Sequence, residues 1–209
     1  EYGGGLVKVD MVHKQVLGYL TLTKDGQVKQ SQASLVDPTT GFAVCAGLGM
    51  PQDIRVSPDG KTFYVADMLA DGLYLVDGDS FIQIGFIPAC RGSHGLYPSR
   101  DGTMLYIANL GSHRVLGAKH GLGFVSVLDF ATRRIVANWP IPGGGSPDVG
   151  NVSPDGRYLW LSGRFDNVVY RFDTTNGDVI QIPVGKEPHG LTVWPQPGRY
   201  SLGHTGNLR

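Results

Sequence analysis

No sign of charge predominates in this sequence: Lys plus Arg and Asp plus Glu both number 18, so the formal net charge is zero over 209 residues. Without a basic run there is no electrostatic footprint for nucleic acid, and an anionic membrane is an equally poor partner. Charged residues are sparse at 17%, against 41% apolar, a balance that excludes a disordered, self-repelling chain. Apolar stretches are short, and none approaches the ~18 residues of a membrane-crossing helix. The opening Glu1-Tyr2-Gly3-Gly4-Gly5 lacks the basic and hydrophobic regions of a signal peptide, as a mature or truncated chain also would.

Cysteine is scarce too. Only Cys45 and Cys90 occur, without the close pairing of a zinc site or a redox motif, so one disulfide and two buried free thiols are both open readings. Nucleophilic and metalloprotease signatures are missing: there is no Gly-x-Ser-x-Gly and no His-Glu-x-x-His. The glycine runs at 3–5 and 143–145 sit in no strand-then-helix context, so they are not dinucleotide fingerprints.

Glycine and proline are plentiful instead. The 31 glycines and 13 prolines make about a fifth of the chain, against roughly an eighth in ordinary usage, which argues against long helices. A chain of this length buries roughly 70% of its unfolded surface, enough for a sizeable core.

The turns repeat. Pro51-Gln52-Asp53-Ile54-Arg55-Val56-Ser57-Pro58-Asp59-Gly60 aligns with 93–102, ending Ser99-Arg100-Asp101-Gly102, and with 147–156, ending Ser153-Pro154-Asp155-Gly156. A fourth copy starts at Pro188-His189-Gly190. Each Asp-Gly precedes an aromatic-rich apolar run, as in Thr62-Phe63-Tyr64-Val65-Ala66, which predicts two strands joined by a tight turn with Gly at positive φ. Third strands follow, each ending in an Asp (Asp77, Asp129, Asp173) whose carboxylate is suited to bond the next turn. Fourth strands end at Pro88, Pro142 and Pro183, positions an edge strand tolerates.

Four strands per unit, repeated radially, is the plan of a β-propeller blade, so the fold class is all-β, with antiparallel four-stranded blades. The Asp59–Asp101 and Asp101–Asp155 spacings of 42 and 54 residues fit blade repeats of roughly 40 to 50, the second unit carrying a long B–C loop at 112–121. The expected organisation is a C–D half blade at 1–22, an inserted loop or hairpin at 23–47, blades at 48–90, 91–142 and 143–185, and an A–B half blade at 186–209. That makes about four blade equivalents, three complete and two halves.

The Ser-Pro-Asp-Gly turns, Tyr64-Val65-Ala66-Asp67, Tyr106-Ile107-Ala108-Asn109 and the Val-x-Val-Leu/Ile-Asp third strands resemble the YVTN-type β-propeller family. Ser146-Pro147-Asp148, Leu159-Trp160-Leu161-Ser162-Gly163-Arg164 and the segment 194–207 are similar to the C-terminal half of a bacterial subgroup. The resemblance implies about seven blades in all, hence a missing N-terminal portion with Arg209 near a natural end, and an extracytoplasmic location. The C-terminal half blade is then expected to pair with residues 1–22, with a missing segment or with a second chain.

Strand A of each blade should line the central channel, where Gln52, His94, Asp148 and His189 align as a ring. Two imidazoles and a carboxylate at one level are a ligand set for a divalent or transition metal; the same side chains also suit bonds to backbone and channel water. Asp53, Asp67, Asn109 and Arg164 fall near the same mouth, as ligand-orienting groups or turn caps, and His113 and His120 ride on the long B–C loop. Tyr64, Tyr106, Trp160 and Tyr170 are expected in the core between blades. The leading functional reading is a non-enzymatic scaffold binding a protein or small molecule at the channel mouth. The alternatives are a metal-dependent lyase or hydrolase using His94, His189 and Asp148, and a structural subunit completed by another chain through strand addition.

Overall fold

Each Asp-Gly turn is built in the same way. The Ser hydroxyl donates to the Asp carboxylate two residues on, at 2.5 Å for Ser57–Asp59, 2.6 Å for Ser99–Asp101 and 2.5 Å for Ser153–Asp155. The same hydroxyl accepts the N–H of Thr62, Met104 or Tyr158, each at 2.9 Å. Gly60, Gly102 and Gly156 follow at φ of 77°, 71° and 77°, a left-handed conformation that disfavours any residue with a Cβ. A fixed turn fixes the register of the hairpin around it.

The computed structural model describes residues 5–24, 49–114 and 121–195. Every named element is a strand. A two-stranded sheet, β1 (Gly5–Asp10) with β2 (Gln15–Thr21), is followed by three four-stranded antiparallel sheets. The first is β3 (Pro51–Val56), β4 (Thr62–Asp67), β5 (Gly72–Asp77) and β6 (Gln83–Pro88). The second is β7 (Ser93–Pro98), β8 (Met104–Asn109), β9 (Phe124–Asp129) and β10 (Arg134–Pro140), and the third is β11 (Pro147–Val152), β12 (Tyr158–Gly163), β13 (Val168–Asp173) and β14 (Val179–Pro183). Strands pair in sequence order within each sheet, the meander of a propeller blade. Among the described residues no helix is long and apolar enough to cross a membrane.

The third strands end as their sequence predicts. Asp77 accepts the Ser80 N–H at 2.8 Å, Asp129 that of Thr132 at 2.7 Å and Asp173 that of Thr175 at 3.0 Å. Asp10 does the same for Val12 at 2.8 Å, which marks β1 as a third strand too. The second blade's last strand stops at Pro140, short of the expected Pro142, and Ile141 turns into the core.

The core lies between the sheets rather than within any one of them. Leu20 and Leu22 meet Val65, Tyr74 and Val76; Tyr64, Leu73 and Leu75 meet Leu96, Ile107 and Leu128; Tyr106, Val125 and Trp139 meet Val152, Tyr170 and Phe172. Each fully buried large side chain contributes about 1.5–3 kcal/mol relative to exposure. Tyr64, Tyr106 and Tyr170 are buried as expected, whereas Trp160 is only half-buried. It lies on the face of its sheet turned away from the second blade, paired with Arg171.

Of the insertion expected at 23–47, residues 25–47 with Cys45 lie outside the described residues, as do residues 48, 115–120 with His120, and 196–209. Residues 184–195 continue from β14 with no named strand, where sequence predicts strand A of a further blade. A strand needs a partner ladder, and the expected partner falls within 196–209.

Candidate functional site at the start of the innermost strands

The first strands β3, β7 and β11 pack against one another along the inner side of the array. Each carries an irregularity at the same place. The pairing of β3 with β4 shifts between Pro51 and Asp53, that of β7 with β8 between Ser93 and Leu96, and that of β11 with β12 between Pro147 and Gly150. Gln52, His94 and Asp148 therefore sit in β-bulges, which release a residue from the ladder and re-aim its side chain. The bulge also demands close approach at Gly95, where a Cβ would run into the Tyr97 hydroxyl and the Asp148 carbonyl.

Three of the four aligned ring residues meet. His94 Nδ1 lies 3.1 Å from Asp148 Oδ1, and His189 Nε2 lies 3.6 Å from Asp148 Oδ2. The Asp148 side chain is 2% exposed, His94 13% and His189 55%, so a buried carboxylate is flanked by one enclosed imidazole and one open to solvent. Gln52 does not join them: its amide donates to the Met50 carbonyl at 3.4 Å. Among the described residues no group of three or more His, Cys, Asp or Glu side chains is arranged to hold a metal ion. The triplet stands as a carboxylate that orients two imidazoles, an arrangement able to hold or pass a proton and to present His189 to a ligand.

The blade junctions around the triplet are tied by buried side chains. Asp53 accepts the Leu96 N–H at 2.9 Å and the Arg55 guanidinium at 2.5 Å. Burial pushes the Asp53 carboxyl above its usual range, against the opposing pull of Arg55. One blade on, the Tyr97 hydroxyl accepts the Gly150 N–H at 2.8 Å and donates to the Asp148 carbonyl at 3.5 Å. Burial raises the Tyr97 phenol well above its ordinary value, so it stays un-ionised. Arg100 donates to the carbonyls of Ser153, at 3.0 Å, and Val152. Asn151 holds the register position of Arg55 and Tyr97; its amide is buried, with neither its oxygen nor its nitrogen hydrogen-bonded.

The expected mouth residues divide between structural bonds and the rim. Asp67 caps its turn, accepting the N–H groups of Met50, Leu69 and Ala70 at 3.0, 2.9 and 2.9 Å. Asn109 is buried and bonded to Ser93, Ser126 and the Phe124 carbonyl. Arg164 lies over the Phe165 ring at 5.4 Å. His113 Nε2 lies 2.7 Å from Asp71 Oδ1, and Asp71 also accepts the Gly92 N–H at 2.9 Å, so the start of the long loop is pinned to the first blade. Cys90 carries a free thiol that burial pushes up; Cys45, its partner in the disulfide reading, lies outside the described residues. Arg55, Tyr97 and Asn151 were not expected, because three dissimilar residues at one register give no repeat signal. A cavity of about 380 Å³ lined by Thr62, Tyr64, Phe130 and Arg133 lies at the other end of the strands, among the turns.

Comparison with known proteins bears on the fold more than on the site. No family model matches the chain. Antigen Lp49 of Leptospira interrogans serogroup Icterohaemorrhagiae serovar copenhageni (strain Fiocruz L1-130) is 25% identical over 173 residues, covering 71% of this chain and 35% of its own length. Hydrazine synthase of Kuenenia stuttgartiensis superposes with a TM-score of 0.63 at 21% identity, over 89% of this chain and 44% of that one. The chain thus spans about a third of the curated relative and less than half of the solved structure. The second likeness, to a propeller-containing protein, agrees with the three meandering sheets: the chain has an all-β, propeller-type fold.

Proposed function

We propose that this chain is a non-enzymatic propeller scaffold of the YVTN type that binds a protein segment or a small polar molecule where its innermost strands begin. The observation that carries the reading is the convergence of His94, Asp148 and His189, residues far apart in sequence that three successive repeats bring to one point. Asp148 is buried and fixes the imidazoles, while His189 stands half exposed with hydrogen-bonding capacity toward solvent. Rigid scaffolds commonly present binding groups at such strand ends. The resemblance of the repeat motifs to that family also supports an extracytoplasmic location, which cell fractionation tests directly.

The test is a fragment library titrated against the protein, with the imidazole signals of His94 and His189 followed by NMR. Ligands that shift both signals, and lose affinity in a folded His189→Ala variant, support the scaffold reading. Shifts confined to other parts of the molecule overturn it. Zn²⁺ or Mn²⁺ retained at one equivalent through dialysis, and lost from His94→Ala and His189→Ala, would replace it with a metal-dependent lyase or hydrolase.

A further inference from the structure

The cleft among the turns of the first two blades is made by residues that the next junction does not share, and we propose that it binds a free amino acid with an aromatic side chain. Its volume of about 380 Å³ falls in the range of small-molecule sites. Pro58 and Asp59 of the first Asp-Gly turn, with Thr62 and Tyr64 of β4, form one side; Asp129, Phe130 and Arg133, in the turn after β9, form the other. Both sides belong to complete four-stranded blades. At the corresponding place between the second and third blades, side chains take up the room. Arg100 stands where Pro58 does, and its guanidinium donates to the Val152 and Ser153 carbonyls. By register Met104 replaces Thr62, and Trp139 replaces Ile87, its ring 5.3 Å from that of Tyr106. Gly177 there holds the position of Arg133, close under the Trp139 ring. The first junction has a charged, open cleft in place of that filling.

Each polar group in the cleft has bonding capacity to spare. Arg133 donates from one Nη to Thr62 Oγ1 at 3.4 Å and also bonds the Tyr64 phenol. Among the described residues no carboxylate lies at ion-pair distance from it. A guanidinium carries five N–H donors, so a planar fork remains for a carboxylate. Thr62 and Tyr64, 4% and 1% exposed, accept from Arg133 and keep their own O–H groups to donate; burial holds the phenol un-ionised. Opposite charge is present beside them. Asp59 and Asp129 hold their own turns through Oδ1 alone, which leaves Oδ2 of each to a ligand. The Ser57 hydroxyl and the Thr132 N–H keep these two carboxyls below the usual carboxylate range, so both are ionised at neutral pH. Between the charges the Phe130 ring stands edge-on to Tyr64 at 5.3 Å, with Pro58 alongside. A guanidinium for a carboxylate, two carboxylates for an ammonium and an aromatic floor for a side chain complement a small zwitterion. A lone anion would face both aspartates, and a lone cation would face Arg133.

The experiment is an NMR titration of the whole chain with L-phenylalanine, 3-phenylpropanoate and phenethylamine, the last two lacking the ammonium and the carboxylate respectively. L-Phenylalanine is expected to shift the amide signals of Thr103 and Ala131, which line the cleft, and to saturate with a Kd of about 1 mM or below. Each single-charge analogue should bind about 10-fold more weakly or worse, having lost a charge-assisted hydrogen bond. Arg133→Gln should weaken L-phenylalanine by a similar factor, and because Arg133 is exposed the variant keeps its fold by circular dichroism. Thr62→Val, which removes a hydroxyl and keeps the shape, should weaken it less. Arg134→Gln removes the same charge one residue along, outside the cleft, and should bind as the parent does. No saturable shift at Thr103 and Ala131, an analogue that binds as tightly as the zwitterion, or an Arg133→Gln variant that binds like Arg134→Gln overturns the proposal.

Discussion

Replacing Tyr97 by Phe removes a single oxygen from the junction between the second and third blades. That oxygen accepts the Gly150 N–H at 2.8 Å, and Tyr97 is 0% exposed, so no water takes its place in the variant. Gly150 lies in the bulge of β11, where β12 leaves no room for even a Cβ beside it. Its N–H therefore has little freedom to find another acceptor. An orphaned buried donor costs about 1–3 kcal/mol, and the ring itself is retained, so no cavity adds to the loss. At about 2–4 °C per kcal/mol for a chain of this size, the melting temperature should fall by about 2–12 °C. Equilibrium urea unfolding gives the free energy directly, and a shift of the His94 imidazole signal would report the loosened junction, because the same hydroxyl contacts the Asp148 carbonyl. A Phe variant within about 0.5 kcal/mol of the parent would refute the claim that this bond ties the blades, that margin being the scatter of surface substitutions.

Glycine positions offer a paired comparison: Gly60→Ala enters open space at φ 77° and should cost about 1–2 kcal/mol, whereas Gly177→Ala at φ 81° also strikes the Trp139 ring and should lose about 1–3 kcal/mol more. Equal denaturation midpoints for the two variants would remove the packing argument. Asp53→Asn leaves the Arg55 guanidinium buried without its counter-charge and should destabilise by about 3–5 kcal/mol; thermal melts of Asp53→Leu/Arg55→Met should recover most of that loss, and a double variant as weak as the single one contradicts the pairing. Bonds to serine hold the carboxyls of Asp59, Asp101 and Asp155 below the usual carboxylate range. With folded values below unfolded ones, their stabilisation is present above about pH 4 and lost as pH falls through the folded values. Melting temperature should hold from neutrality to about pH 5 and then decline, less steeply when all three are Asn; a flat profile to strong acid would show that these turns contribute nothing.

How far the sequence carried this structure depended on whether a feature repeats. The Ser-x-Asp-Gly turns and the Asp-ended third strands are local devices that need no distant partner, and they appear in the structure with nearly identical bond lengths. The ring of Gln52, His94, Asp148 and His189 follows from aligning those same repeats, and three of its four members converge. What alignment does not carry is how a polar side chain spends its bonds. Asp53, Asp67 and Asn109 fall near the mouth, yet both Asp53 oxygens, Asp67 Oδ1 and the Asn109 amide are taken by backbone groups and by neighbouring side chains, while Asp67 Oδ2 is buried without a hydrogen bond. The bulges are silent in the sequence, because an extra residue in one strand leaves no mark when all three copies share it. Trp160 repeats the register of Tyr64 and Tyr106, yet it is half-buried where they are buried, because burial here depends on what packs against the sheet and not on the strand alone.

That last residue and the triplet point to one physical fact about this architecture. No sheet here has a core of its own, so a side chain's environment is set by the neighbouring blade as much as by its own strand. His94 comes from the second blade, Asp148 from the third and His189 from the segment beyond it, and the distances among them are fixed by the rotation of each blade on the next. Asp53, Tyr97 and Arg100 set that rotation at successive junctions, each reaching a backbone group of the following innermost strand. Asn151 stands at the register of Tyr97 on the third blade with its amide unbonded, so among the described residues the junction that carries His189 has no tie from that position. The exposed imidazole is therefore the least constrained member of the triplet, and a ligand or a completing blade that orders residues 188–190 would act on the site through it.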